Sequence, residues 1–144
     1  MKNYHRIMGA LLLLCSLSPP TLAFEPTGET FPAAFEITSW TSTREGSSLT
    51  AEGLVGEGYG KVYLSYDFVS GTAVRNQGSF SGNLRSINQD GELVSATLQG
   101  IWKRDGKTLM MYTLDEFSNG DMIYAEGIVD LMAGTMSFTA FPMR

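Results

Sequence analysis

Two carboxylates near the end of the chain, Glu126 and Asp130, have a spacing that could support proton transfer. They lie four residues apart, so on a regular strand they share one face with Tyr124 and Ile128. If that face lined an apolar interior, the carboxyl groups would hold protons more tightly than in water and could exchange them with a ligand. The alternative is that the face points to solvent, and the rule that charged groups stay hydrated favours it.

Three further residues are candidates for contacting a ligand. Tyr66 alternates with apolar residues and is expected to face inward, where a buried phenol needs a polar partner. Arg85 would bind an anionic group if it pointed inward beside Asp67 or Glu52. An ordinary surface arginine is the alternative and the commoner situation. Trp102 could form a pocket wall or simply fill the interior of a small barrel.

An acidic segment is the only candidate for a cation site. Asp115, Glu116 and Asp121 are predicted to lie in one loop around Asn119-Gly120. Their spacing is not that of a calcium loop, in which oxygen ligands occupy alternating positions around a central glycine. We therefore predict neither a metal site nor a cofactor.

The first 23 residues have the layout of a cleaved secretory signal peptide. A basic head is followed by an apolar stretch over residues 7–14 and by a polar segment that ends in Thr21-Leu22-Ala23, which suits signal peptidase. We predict export to the periplasm or beyond the cell, with Phe24 as the mature N terminus. A lipoprotein anchored at Cys15 is the alternative, and the bulky Leu14 before that cysteine disfavours it.

Cleavage would remove the only histidine, His5, and the only cysteine, Cys15. The exported part would then have no disulfide, cysteine nucleophile, Ser-His-Asp triad or histidine-bound zinc. Of 10 basic and 15 acidic residues, Lys2 and Arg6 also lie in the signal, which leaves a net charge of −7. This charge disfavours nucleic-acid binding. No later segment approaches the about 20 apolar residues of a membrane span.

Turn signals divide the rest of the chain into β-rich segments. Asp-Gly, Asn-Gly and Ala-Gly pairs place glycines at 91, 106, 120 and 134, and Asp-Gly or Asn-Gly between such segments is a strong hairpin signal. Residues 24–33 contain two prolines and are predicted to form an extended leader. Strands are predicted near 34–43, 48–56, 59–69, 74–87, 92–103, 107–115, 121–131 and 135–141.

Eight strands joined by tight hairpins describe an antiparallel meander, and closure into a barrel would remove its exposed edges. We therefore predict one all-β domain over residues 34–144, a single antiparallel eight-stranded up-and-down β-barrel. A β-sandwich is the alternative. An outer-membrane barrel is disfavoured by short turns at both ends and by charges on both strand faces. The sequence does not indicate an oligomeric state.

The run Gly58-Tyr59-Gly60-Lys61-Val62-Tyr63-Leu64-Ser65-Tyr66-Asp67-Phe68, the following Gly78-Ser79-Phe80-Ser81-Gly82 and the glycine-rich strand ends carry a family resemblance. In pattern, residues 34–141 resemble the barrel shared by allene oxide cyclases and dirigent proteins. The resemblance implies an eight-stranded antiparallel barrel around an apolar pocket, in which some members steer cyclisation or coupling of a bound intermediate. No functional residue of the family is transferred to a position here.

These observations lead to three functional hypotheses. The first is an exported barrel that binds a small, largely apolar ligand. The second is a cyclase-type enzyme whose shaped pocket holds one reactive conformer. The third is a structural or protein-binding barrel with a packed interior. A cavity with isolated polar groups would favour the first two hypotheses, and a filled interior would favour the third.

Overall fold

The computed structural model describes residues 29–56 and 58–143, which form a closed barrel of eight antiparallel strands. The strands are β1 (Phe31–Ser42), β2 (Gly46–Val55), β3 (Gly60–Ser70), β4 (Gln77–Ile87), β5 (Leu93–Asp105), β6 (Thr108–Phe117), β7 (Met122–Asp130) and β8 (Thr135–Met143). Each strand pairs with the next, and β8 pairs with β1. The predicted up-and-down barrel is confirmed, and the sandwich alternative is wrong.

The predicted signal peptide over residues 1–23, the alternative lipidation of Cys15 and most of the predicted leader lie outside the described residues. Among residues 29–56 and 58–143 we find no helical segment with the length and apolar character needed for a bilayer span.

The first strand closes the barrel by changing partners along its length. Residues 31–36 pair with β8 and residues 36–42 pair with β2, with a register shift between Ile37 and Ser39. The strand begins at Phe31, earlier than predicted, because Phe31 packs against the core. Pro32 is compatible with this position because β1 is paired on one side only at that point.

Alternation along the strands separates an apolar interior from a more polar outer face. On β3 the inward residues are Val62, Leu64, Tyr66 and Phe68, as the sequence pattern predicts, and all four are buried. Ser86 and Thr113 are the only polar residues buried to the same degree among those that the structure describes.

Large aromatic rings fit into this narrow barrel because glycines face them from neighbouring strands. Three register pairs join an inward glycine to a ring: Gly82 with Tyr66, Gly100 with Phe80, and Gly127 with Phe138. A Cβ added at Gly127 would lie only 2.2 Å from Phe138 Cε1. The backbone of one strand therefore supplies the space that the ring of its partner occupies.

The strand connections divide between two ends of the barrel, here called the Tyr59 end and the arginine end. Glycines 91, 106, 120 and 134 have positive φ, as the turn signals predict. The Tyr59 end carries the connections around residues 56–59, 88–92 and 118–121, and the arginine end carries those at 43–45, 71–76, 106–107 and 131–134.

Candidate ligand-binding site

A layer of four aromatic rings packs the interior towards the arginine end. The rings of Tyr66, Phe68, Phe80 and Trp102 contact one another with centroids 5.5 to 6.3 Å apart. Edge-to-face geometry, as between Tyr66 and Phe80 at 87°, is a favourable arrangement for such rings. We call these four side chains the ring layer.

A second aromatic group, the Tyr59 cap, covers the interior at the Tyr59 end. Tyr59 stacks on Phe31 at a centroid distance of 6.0 Å and contacts Phe117 at 5.3 Å. Its hydroxyl donates a 2.6 Å hydrogen bond to Asp121 Oδ2 in the β6–β7 connection. Burial, followed by the hydrogen bond and charge of Asp121, raises the pKa of Tyr59, so its hydroxyl remains a donor. This bond ties two connections together across the barrel mouth.

A cavity of about 60 Å³ is lined by residues from both aromatic groups. Ala125 and Ala140 are register partners that both line it, and their short side chains leave the space open. The volume is enough for a few water molecules and is less than half that of an engineered cavity of about 150 Å³ that binds benzene. The cavity as it stands therefore fits a small group or the end of a larger molecule.

A carboxyl group enters this otherwise apolar cavity from β6. Asp115 lies on the same strand face as Thr113 and Phe117, and all three line the cavity. Burial raises the pKa of Asp115 to about 7, although the Thr113 hydroxyl and the Gln99 backbone act in the opposite direction. Near neutral pH this group therefore exists in both protonation states.

The hydroxyl of Thr113 links Asp115 to the neighbouring strand β5. Thr113 Oγ1 lies 3.2 Å from the carbonyl oxygen of Gln99 and within hydrogen-bond distance of Asp115 Oδ1. A hydroxyl has a single proton to donate. Donation to Asp115 therefore alternates with donation to the Gln99 carbonyl, and the bond that Asp115 receives favours its charged form against the effect of burial.

The ladder between β5 and β6 is interrupted beside this group. In the described part of these strands, Leu98 and Gln99 pair with β4 but have no register partners in β6, and the β5–β6 register resumes unchanged at Gly100 opposite Thr113. The Thr113 side chain reaches the Gln99 carbonyl in this gap. A local opening of the sheet thus accommodates the polar pair formed by Thr113 and Asp115.

Tyr66 brings a second ionisable group to the cavity. Its side chain is 3% exposed and belongs to both the ring layer and the cavity wall. Burial, together with the charge of Asp115, raises the pKa of Tyr66 well above its ordinary value. In the described part of the chain no residue forms a hydrogen bond with its hydroxyl. The hydroxyl is thus a donor that a ligand could use.

The five residues proposed from sequence separate into two inside and three outside. Tyr66 and Trp102 are buried and belong to the ring layer. Arg85, Glu126 and Asp130 lie on the outer face, which was the alternative orientation for each. The structure therefore does not bring these three to the cavity, because their neighbours in sequence supply the interior face.

The two outer carboxylates have local partners. Glu126 Oε1 accepts a 2.8 Å hydrogen bond from the Tyr124 hydroxyl. Asp130 accepts hydrogen bonds from the backbone of Met132 and Ala133 and pairs with Lys107 Nζ at 3.4 Å. The Ala133 amide is the main cause that lowers the pKa of Asp130. Asp130 therefore stabilises the β7–β8 turn.

The structure corrects the predicted acidic loop. Asp115 lies in β6 and points into the barrel, because β6 extends to Phe117. The sequence signal for an inward Asp115 is the alternating pattern of β6, which continues through two polar residues to Phe117. Its inward positions are Leu109, Met111, Thr113, Asp115 and Phe117. In the described ranges, no group of three or more His, Cys, Asp or Glu side chains could hold a metal ion.

Comparison of this chain with protein-family models, with curated proteins and with solved structures finds no match. The geometry of the cavity is therefore the basis on which its function is argued.

Proposed function

We propose that this protein binds a small, largely apolar molecule in the barrel cavity, with Asp115 and Tyr66 as its polar contacts. The observation that carries the proposal is the carboxyl group with a pKa of about 7 inside an apolar cavity. Asp115 is partly buried, and a carboxyl group withdrawn from water opposes folding unless its hydrogen bonds are satisfied. Perturbed ionisable groups of this kind are concentrated at functional sites.

The size of the cavity limits how a ligand can bind. At about 60 Å³ it is less than half the size of an engineered cavity of about 150 Å³ that binds benzene. We propose that the Tyr59 cap moves when a molecule of that size enters. Tyr59 is suited to this because glycines with positive φ flank it at positions 58 and 60, and glycines often serve as lid hinges.

Export through the predicted N-terminal signal is part of this proposal. A barrel outside the cytoplasm would meet its ligand there and carry it, or sequester it, within the cavity. The polar contacts would select molecules with a hydroxyl, carbonyl or amine among otherwise apolar ones, because an unpaired buried polar group is costly.

Catalysis is the second candidate function, and the same carboxyl group favours it. A pKa of about 7 allows Asp115 to accept and return a proton near neutral pH, as general acid–base catalysis requires. The resemblance to allene oxide cyclases and dirigent proteins supports a cyclisation or coupling step in a shaped pocket. In that case Asp115→Asn would leave binding largely intact and lower turnover by on the order of 10²-fold or more.

Methyl-labelled NMR tests the binding proposal. Leu98 and Ile123 both line the cavity, so their methyl resonances report on its contents. We expect titration with phenol or toluene to shift them. Phenol should bind several-fold more tightly, because one hydrogen bond to Asp115 contributes roughly 1 kcal/mol.

A pair of alanine variants separates cavity binding from other effects. Ala125→Val adds two carbon atoms to the cavity wall and is expected to abolish the shifts. Ala51→Val is the matched control, because Ala51 is equally buried but does not line the cavity. Shifts that persist in Ala125→Val, or no shifts with either compound, would contradict the proposal and favour a packed barrel.

A further inference from the structure

The arginine end holds a second hollow, of about 630 Å³, which shares no lining residue with the cavity that contains Asp115. Phe68 and Trp102 of the ring layer line it, together with Leu109, Leu131 and the exposed side chain of Trp40. Ligand pockets in proteins commonly range from about 300 to 1,000 Å³. The hollow therefore has the size of a small-molecule site, and its wall combines these apolar side chains with polar and charged ones.

Trp102 gives this hollow a fixed wall. Its indole Nε1 donates to the carbonyl oxygens of Val69 and Ser79, each at 3.2 Å. Its ring also packs edge-on against Phe68, with an interplanar angle of 82°. With its polar atom already bonded to the barrel, Trp102 can present only apolar ring surface to a molecule in the hollow.

Three arginines from three different hairpins surround the same space. Arg44 lies in the β1–β2 connection, Arg75 in the β3–β4 connection, and Arg104 near the end of β5. Arg104 Nε donates to the carbonyl oxygen of Gly106 at 2.8 Å, which leaves its remaining N–H groups available. The only acidic residue on the wall of the hollow is Glu45.

None of these guanidinium groups has a carboxylate partner. Across residues 29–56 and 58–143 the ion pairs are Lys61 with Glu52 and Lys107 with Asp130, and no arginine takes part in one. The opposite end has the reverse charge: its described connections contain Asp90, Glu92 and Asp121 and neither lysine nor arginine. The wall of the hollow therefore carries three positive charges against one negative charge, that of Glu45.

We propose that this hollow is a binding site for a small amphipathic anion, whose carboxylate, phosphate or sulfonate group is held by Arg44, Arg75 and Arg104. The apolar body of the ligand lies against Trp40 and Trp102. Arginine is suited to this role because its planar fork of donors matches the geometry of such oxyanions and its plane packs on aromatic rings. The site is separate from the cavity that contains Asp115, because the two spaces share no lining residue.

Tryptophan fluorescence tests the proposal directly. The chain contains two tryptophans, and both line this hollow. Anilinonaphthalene sulfonate supplies an aromatic body with a sulfonate group, and phenylnaphthylamine is nearly the same body without the charge. We expect the sulfonate to quench the tryptophan emission and to bind at least several-fold more tightly than the neutral compound. Inorganic phosphate should compete with it.

Charge variants locate the binding site. The double variant Arg44→Gln/Arg75→Gln is expected to weaken sulfonate binding by about three- to tenfold, since exposed charge pairs contribute modestly. It should leave the neutral compound unaffected. Arg85→Gln, which removes an exposed arginine from the outer face of β4, is the matched control and should change nothing. Ala125→Val should also preserve sulfonate binding, which separates this result from that of the proposed function.

Two outcomes would overturn the proposal. One is equal affinity for the charged and neutral compounds, or no loss of sulfonate binding in the double arginine variant. The other is binding to vesicles of phosphatidylglycerol, which is anionic, without binding to phosphatidylcholine vesicles or to the soluble sulfonate. This result would identify a membrane surface, and not a free small molecule, as the source of the anion. Binding of the soluble sulfonate in the absence of vesicles, lost in the double variant, supports a site for a free small molecule.

Discussion

Replacing Asp115 by asparagine should change the pH dependence of stability in a defined direction. The pKa of Asp115 is about 7 in the folded protein, against an ordinary value of 3.8. Between these pH values the folded state holds a proton that the unfolded state has released. Stability therefore falls as pH rises through this interval. Asparagine resembles the protonated carboxyl in shape but does not ionise, so Asp115→Asn should remove this loss.

The expected magnitude follows from the same interval. Each pH unit across it corresponds to about 1.36 kcal/mol, so the full interval of about 3 pH units changes the free energy of unfolding by roughly 4 kcal/mol. At pH 8 we expect Asp115→Asn to be more stable than the native protein by roughly this amount. Near pH 4 the two proteins should agree to about 1 kcal/mol, because both then carry a neutral group.

Urea unfolding at pH 4 and pH 8, at one ionic strength, measures this difference. Asp67→Asn is the matched control, because Asp67 is an exposed carboxylate on the outer face of β3. A stability difference between Asp115→Asn and the native protein that is the same at both pH values would refute the reasoning. A variant that is less stable than the native protein at pH 8 would do so as well.

Three other predictions test the fold, the cap and export. Gly127→Ala should destabilise the barrel by about 1 to 3 kcal/mol through overpacking, because its Cβ would overlap the Phe138 ring; Gly56→Ala, with open space around it, is the control in thermal unfolding. Tyr59→Phe should remove the hydrogen bond that closes the cap, cost about 1 kcal/mol and speed amide exchange in the neighbouring connections. N-terminal sequencing of the exported protein should begin within a few residues of Phe24.

The eight strands and their closure were predictable because the turn residues and the alternating pattern agree along most of the chain. The pattern was misread where polar residues face inward. Thr113 and Asp115 interrupt the apolar face of β6, and the following Ser-Asn-Gly turn made the segment resemble a loop. Pro32 likewise suggested a leader, although it lies where β1 needs a partner on one side only.

The outward orientation of charged side chains was predictable wherever the tendency of charges to stay hydrated decides which way a side chain points. Arg85, Glu126 and Asp130 all lie outside, as that rule favours. The rule fails at Asp115, where the opening of the ladder and the Thr113 hydroxyl compensate part of the cost of burial. No rule based on single residues would have found this group.

The cluster of arginines depends on topology rather than on any local motif. Arg44, Arg75 and Arg104 are far apart in sequence and look like scattered surface charges. In an up-and-down barrel, however, alternate connections lie at the same end. Residues placed in every second hairpin therefore meet around one mouth. The cluster follows from the predicted topology once that topology is used to sort the charges.

Native mass spectrometry of the protein purified from the cells that produce it tests the central claim most directly. We predict an adduct of a small, largely apolar molecule that is released on unfolding, is lost in Ala125→Val and is retained in Ala51→Val and in the double arginine variant. A bare protein mass in every preparation, or an adduct that survives in Ala125→Val, would contradict binding in the cavity that contains Asp115.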